Sequence, residues 1–422
     1  MKHSSAVSSM MSTIVVGVLA ASLLGPTPSY AADPVAGCPT TQAELESAIV
    51  SAGPGGTVAF TCTADTTIIL DRPLVPSSDL TLDASAATGT VALDGQGQNR
   101  ATEENPDGRS SMLLQVPEGV TVTIDSLSLQ NGSEQSGSAG TGGQVRGAVD
   151  NAGTLNLHDV TFRGNAADGV VPFFGDYISV QRDGGAILNT GTLDVHGGLF
   201  ADNTARAGGA IWSSGDVVIE GTTFRDNVGA DNGMAIASTA GRLTLTDATF
   251  PDGDLPDLGG EDFLVYVGGG ELLVVEDSTF SDETFGAIDS RVAAEVNGSS
   301  FTGKGGVRSI LAPMTVSDSS FDGIATSVRS LSAWLTVRRS TFTGSTGGFI
   351  GGDAAEIVDS SFVGGSATGG LIDVMGTVTF GVVLVPVTFT LVSRLAPAAV
   401  AVRSTLASRL VRRSSNIPTW PW

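Results

Sequence analysis

Residues 184–203 read GGAILNTGTLDVHGGLFADN and residues 208–227 read GGAIWSSGDVVIEGTTFRDN. Each opens on Gly-Gly-Ala-Ile, closes on Phe-x-Asp-Asn, and sets its Ile 13 residues ahead of its Phe. Between these marks lie short alternating runs, Thr192-Leu193-Asp194-Val195 and Val217-Val218-Ile219, bounded by Gly, Asn, Asp or Ser. That is the pattern of strands between tight turns.

The same Phe setting recurs at Phe162, Phe200, Phe224, Phe250, Phe280, Phe301, Phe321, Phe342 and Phe362, so nine of the 17 phenylalanines occupy one column. The intervals are 38, 24, 26, 30, 21, 20, 21 and 20 residues. Weaker copies of the opening mark stand at Gly147-Ala148-Val149, Met234-Ala235-Ile236 and Gly286-Ala287-Ile288. A unit this short, with about three strands, cannot bury its own apolar face; stacked coils can, each pairing in parallel with the next. The aligned phenylalanines then form an internal stack. A propeller blade needs about 40 residues, and a leucine-rich horseshoe needs a consensus this chain lacks. The expectation is an all-β, right-handed, single-stranded parallel β-helix of about twelve coils, counting upstream rungs near Leu82, Leu93 and Leu129. At ~4.8 Å per coil it would be a rod roughly 55–60 Å long.

Composition agrees. The 56 glycines follow no every-third-residue rule, which excludes collagen, and 41% hydrophobic residues argue against wholesale disorder. The formal charge of −23 speaks against nucleic acid or an anionic membrane surface as partner. It is unevenly spread: residues 32–375 hold all 44 acids and 15 basic residues, a net of −29, whereas residues 376–422 hold five arginines and no acid.

Met1–Ala31 reads as a secretory signal, with an apolar core at Ile14–Leu24 and a small-x-small site at Ser29-Tyr30-Ala31. Export would place Cys38 and Cys62 in an oxidising compartment, where a disulfide is expected. The cysteines bracket a helix: Thr41 and Glu44 fit a capping box, Leu45, Ala48 and Ile49 form one stripe, and Gly53 can end it. It would lie as a lid on the open end of the first coil. The chain thus divides into a signal (residues 1–31), an N-terminal cap (32–62), the parallel β-helix (63–380) and a basic tail (381–422). Final strands, a poor membrane anchor or a frame-shifted remnant all fit the tail.

GGAI followed by Phe-x-x-Asn, complete in 184–203 and 208–227, resembles the polymorphic outer-membrane protein repeat, of the right-handed, pectate-lyase-like β-helix group. The resemblance covers about residues 38–380. It implies a secreted or surface-displayed protein, often adhesive, and carries over no catalytic site.

Long intervals mark insertions at Asp94–Ser111, Asn131–Arg146, Ala166–Asp183 and Pro251–Asp262, all between a Phe strand and the next GGAI strand. In a stack they share one edge, which suits a binding surface or a cover over bare β structure. Ala166–Asp183 carries Phe173, Phe174, Asp176, Tyr177 and Arg182, a group suited to sugar rings or a protein partner or to packing down on the coils. Pro251–Asp262 offers Asp252, Asp254 and Asp257, either a Ca²⁺ set, whose spacing matches neither the EF-hand loop nor the glycine-rich nonapeptide repeat, or a solvated acidic loop. Asp159, Asp247, Asp277, Asp318 and Asp359 repeat three residues before the Phe, as turn residues would.

The group the chain resembles includes polysaccharide lyases and glycoside hydrolases. His158 and His196 are the only histidines after residue 31, and no Asn-Thr-Asp or Arg-Ile-Lys motif accompanies them. Asp202 and Asp226 occupy equivalent turns of successive coils, within the separation that carboxylate pairs use, but their place in a repeated Phe-x-Asp-Asn turn favours structural duty. The leading expectation is an exported, non-catalytic β-helix binding a glycan or cell-surface partner through its one-edged loops. The alternative is a polysaccharide lyase or glycoside hydrolase with a divergent carboxylate site.

Overall fold

The computed structural model describes residues 34–97, 110–136, 144–173, 176–253, 263–281, 286–303, 305–324 and 327–364, with 372–374, 378–380, 383–384, 391–392 and 401–402 beyond them. The signal segment and most of the tail lie outside the described residues. The chain is a parallel β-helix. Most coils contribute three short strands that pair in parallel with their equivalents in the next coil, making three ladders. The first carries the GGAI isoleucines, the second runs such as Thr192–His196, and the third the phenylalanines. Val328–Arg338 and Ile350–Val358 each run the first two together.

The third ladder shows the logic most plainly: thirteen strands follow one another in strict chain order. Register is residue-on-residue, with Phe162 against Phe200, Phe200 against Phe224, and Phe321 against Phe342. All nine phenylalanines of the column are buried, and successive rings stack at 4.6–5.0 Å between centroids, tilted by 2–12°. Upstream the column continues through Leu129, Leu93 and Ile68. Leu82, expected to be a rung of its own, sits on the second ladder of the coil that holds Leu93, and Ile68 supplies the missing member. Short strands at Val383–Leu384, Leu391–Val392 and Ala401–Val402 carry the ladders past the expected boundary at residue 380.

The recurring small residues have distinct duties. Gly184 and Gly208, which open the two GGAI copies, sit at φ 72° and 60°, a left-handed conformation that costs a side chain energy. Gly185, the second glycine, has no room for a Cβ, which would lie 2.2 Å from the Gly209 carbonyl oxygen of the next coil. The repeating aspartate column is a turn column: Asp159, Asp247, Asp277, Asp318 and Asp359 all have φ near 50°, as does Arg339. Where the column changes residue at Gly197, Gly221 and Gly298, φ stays positive.

Several buried polar side chains are paired between coils, as burial favours. Asn165, Asn203 and Asn227, the last residue of Phe-x-x-Asn, form a ladder. Asn165 Nδ2 and Asn203 Nδ2 each donate to the next Asn Oδ1 at 2.9 Å and to a carbonyl of the preceding coil. Further along, serine takes over two residues before the Phe. Backbone N–H groups of Ala248, Ser278, Ser299, Ser319 and Ser340 donate to the Oγ of Ser278, Ser299, Ser319, Ser340 and Ser360 at 3.1–3.2 Å.

At the first coil, Gln42–Ala52 is helical. Leu45 is fully buried, and Ala48 and Ile49 pack against the core. Thr41 caps the helix through Oγ1, which accepts from the Glu44 N–H, and the Gly53 N–H closes it on the Ile49 carbonyl. Cys38 and Cys62 are disulfide-bonded across 24 residues.

Two outcomes follow. Phe250→Ala, in the middle of the stack, is expected to lower unfolding stability by about 3–5 kcal/mol in denaturant titrations. The Thr40 N–H and hydroxyl donate to the Glu44 carboxylate at 2.8 and 3.0 Å and hold its carboxyl below the usual glutamate value. A depressed carboxyl adds stability above its unfolded value and loses it as pH falls through the folded one. Wild type should therefore exceed Glu44→Gln near neutrality, and their denaturation midpoints should converge as pH falls below the ordinary glutamate range.

Candidate functional site

The insertions leave the third ladder and re-enter the first, so they project from one edge. Two are substantially described, and both are antiparallel hairpins: Glu134–Ser136 with Gln144–Arg146, and Asp168–Phe173 with Asp176–Gln181. The base of the second is tied to the coils: the Ala167 N–H donates to the Thr204 carbonyl at 2.9 Å and the Arg206 N–H to the Arg182 carbonyl at 2.7 Å. Beyond it the edge continues as Thr204–Ala207 paired in parallel with Val228–Asn232. The Pro251–Asp262 and Asp94–Ser111 insertions lie mostly outside the described residues.

Of the residues singled out from sequence, Phe173, Asp176 and Tyr177 lie on the strands of the second hairpin; their side chains, and Phe174 altogether, are outside what is described. Arg182 is exposed at the hairpin base, and its neighbour Asp183 is bound by Arg206 at 2.8 Å. Asp254 and Asp257 also lie outside the described residues, which leaves Asp252 alone of its proposed set. Among the described residues no three His, Cys, Asp or Glu side chains are grouped to hold a metal ion.

Asp202 and Asp226 are turn residues. Both are left-handed, at φ 58° and 55°, in a column that elsewhere holds Asn131, Gly164, Gly303, Gly323, Gly344 and Gly364 with positive φ. Asp202 accepts from Arg163 Nε at 3.1 Å, and Asp226 lies 3.3 Å from Arg225 Nε. His158 and His196 stack on the outside of the second ladder, with His196 between Asp194 at 3.0 Å and Glu220 at 3.1 Å.

Register exposes a strip that sequence reading missed. On the first ladder the residue after the buried GGAI isoleucine points outward, and parallel pairing aligns Leu188, Trp212, Ala237, Tyr266, Asp289, Arg308 and Arg329 in adjacent coils. The strip adjoins the loop edge, because each insertion re-enters at the start of this ladder. Trp212 and Tyr266 are half-buried, and Ala237 between them is buried. Asp289, with its side chain 3% exposed, accepts two bonds of 2.9 Å from Arg308, which is itself 17% exposed. The Arg308 guanidinium also lies 4.4 Å over the Phe263 ring, and Arg291 lies 5.5 Å over the Tyr266 ring. Gly286 makes room for Phe263, since a Cβ there would fall 2.5 Å from the ring. The signal was present in the repeat as the variable residue of Ile-x-Asn/Ser, legible only after the coils are aligned.

No family model and no curated protein matches the chain. Among solved structures it is similar to PfbA, a surface adhesin of Streptococcus pneumoniae, with 10% identity over 82% of this chain and 93% of that one. The TM-score is 0.28, so the fold assignment rests on the ladders themselves.

The turn assignment of Asp202 is open to test. Asp202→Gly is expected to keep the denaturation midpoint, whereas Asp202→Val, with a β-branched side chain forced left-handed, should cost about 1–2 kcal/mol.

Proposed function

We propose that this chain is an exported surface or extracellular binding protein, non-catalytic, that holds a glycan against the outward strip of the first ladder and the loops beside it. The observation that carries this reading is the placement of Trp212 and Tyr266, outward and half-buried in alternate coils, next to the loop-bearing edge. A half-buried aromatic with polar neighbours suits the apolar face and hydroxyl rim of a sugar ring. The positive-φ turns at Asp202 and Asp226 favour binding over chemistry, since backbone conformation accounts for both carboxylates. Export rests on the N-terminal signal pattern together with the Cys38–Cys62 disulfide, which needs an oxidising compartment. The GGAI and Phe-x-x-Asn marks favour kinship with polymorphic outer-membrane protein repeats. The reading requires no cofactor.

A glycan array combined with assays for reducing ends and unsaturated products tests it. Wild type should retain a defined glycan set without releasing product. Trp212→Ala should weaken that retention about tenfold. Product formation abolished by Asp202→Ala or Asp226→Ala would replace this reading with that of a lyase or hydrolase.

A further inference from the structure

We infer that His158, Asp194 and His196, on the outward face of the second ladder, form a site for a divalent transition-metal ion of the zinc, nickel and copper class, with the remaining positions on the ion open to water. The site lies on a different ladder from Trp212 and Tyr266 and does not depend on the glycan reading.

Parallel register builds it. Thr154–His158 and Thr192–His196 pair residue on residue, which sets His158 against His196. The outward column continues to Asp125 on one side and to Glu220 on the other. The two imidazole rings face each other with centroids 5.7 Å apart and planes 27° apart. The chain has three histidines, and two of them meet here. Their side chains are 43% and 42% exposed, so an ion reaches them from solvent.

The polar balance around His196 is incomplete. Its Nδ1 lies 3.1 Å from Glu220 Oε2, and its Nε2 lies 3.0 Å from Asp194 Oδ1. A neutral imidazole has one N–H and one lone pair, so it can donate to only one of these carboxylates. Asp194 Oδ1 is the one left over: it is shielded from water and accepts no hydrogen bond. A lone pair and a carboxylate oxygen repel at this distance unless a cation stands beside both. With metal–ligand bonds of about 2.0–2.2 Å, neighbouring ligand atoms lie about 2.9–3.4 Å apart, and the pair at 3.0 Å fits.

The surroundings select the ion and orient the rings. Imidazole nitrogen with a single carboxylate suits zinc, nickel or copper, whereas calcium wants about six to eight oxygens. Glu220 beside Nδ1 of His196, and Asp125 at 4.0 Å from Nδ1 of His158, stand where the outer carboxylates of metal-bound histidines stand. Each favours the proton on Nδ1 and leaves Nε2 for the ion. Two of the three ligands are thus at ligand spacing, and the half-exposed His158, one coil away, closes on the ion by side-chain rotation.

Calorimetric titration of the full chain with zinc, at about pH 8 where ordinary imidazoles are neutral, tests the inference. His3, the remaining histidine, is replaced by Ala in every arm. One equivalent of zinc should bind, at least tenfold tighter than calcium or magnesium, and should raise the thermal midpoint. His158→Gln, Asp194→Asn, His196→Gln and Glu220→Gln should each weaken zinc binding about tenfold or more, at an unchanged midpoint in ion-free buffer. Glu276→Gln, two strands beyond Glu220 in the same column, should leave binding intact. Absence of zinc binding, or zinc binding that survives both His158→Gln and His196→Gln, would overturn the inference. Calcium binding as tight as zinc would overturn the class of ion. Zinc binding sensitive to His196→Gln but indifferent to His158→Gln would overturn the joining of two coils by one ion.

Discussion

Residue-on-residue parallel pairing between coils is the constraint from which the rest of this structure follows. It forces each side chain to lie on its equivalent one strand spacing away, so a residue is tolerated only if it can stack with its own kind or with a complement. Phenylalanine satisfies this inside, ring over ring from Phe162 to Phe362. Asparagine and serine satisfy it at buried turns, because each can donate to one coil and accept from another. Such ladders explain why a repeat of only about 20 residues needs several polar side chains in its core.

On the outside the same constraint acts through charge. Asp318 lies against Arg339, which holds its carboxyl below the usual aspartate value, and Glu356 lies against Arg338. His196 similarly lies between Asp194 and Glu220. Opposite charges thus face each other at several outward positions. On the first ladder Arg308 meets Arg329 on one side and is held by Asp289 on the other. This group coincides with the half-buried Trp212 and Tyr266 and with the edge carrying the insertions, so charge, aromatic exposure and loop placement converge on one face.

How much of this was legible in the sequence depended on whether a column repeats one residue. The Phe column does, and its spacing led directly to the coil stack and to the ring stacking found. Local chemistry was equally readable at the cap, where Thr41, Glu44 and Gly53 take their expected places. Ile68 was missed and Leu82 misplaced because the early rungs use Ile and Leu, which mark any strand equally well. The serine ladder was hidden in a sequence rich in serine. The outward strip was hidden more deeply: its members are Leu, Trp, Ala, Tyr, Asp and Arg, with no shared chemistry until register brings them together. The aromatic residues of the Ala166–Asp183 hairpin are, by contrast, close together in the sequence and visible without register.

The most direct measurement is a crystal structure of the chain with an oligosaccharide that it retains. Sugar density on Trp212 and Tyr266, running along the first ladder, is the expected result. Sugar density seated instead at the turns of Asp202 and Asp226, with the first-ladder strip bare, would contradict it.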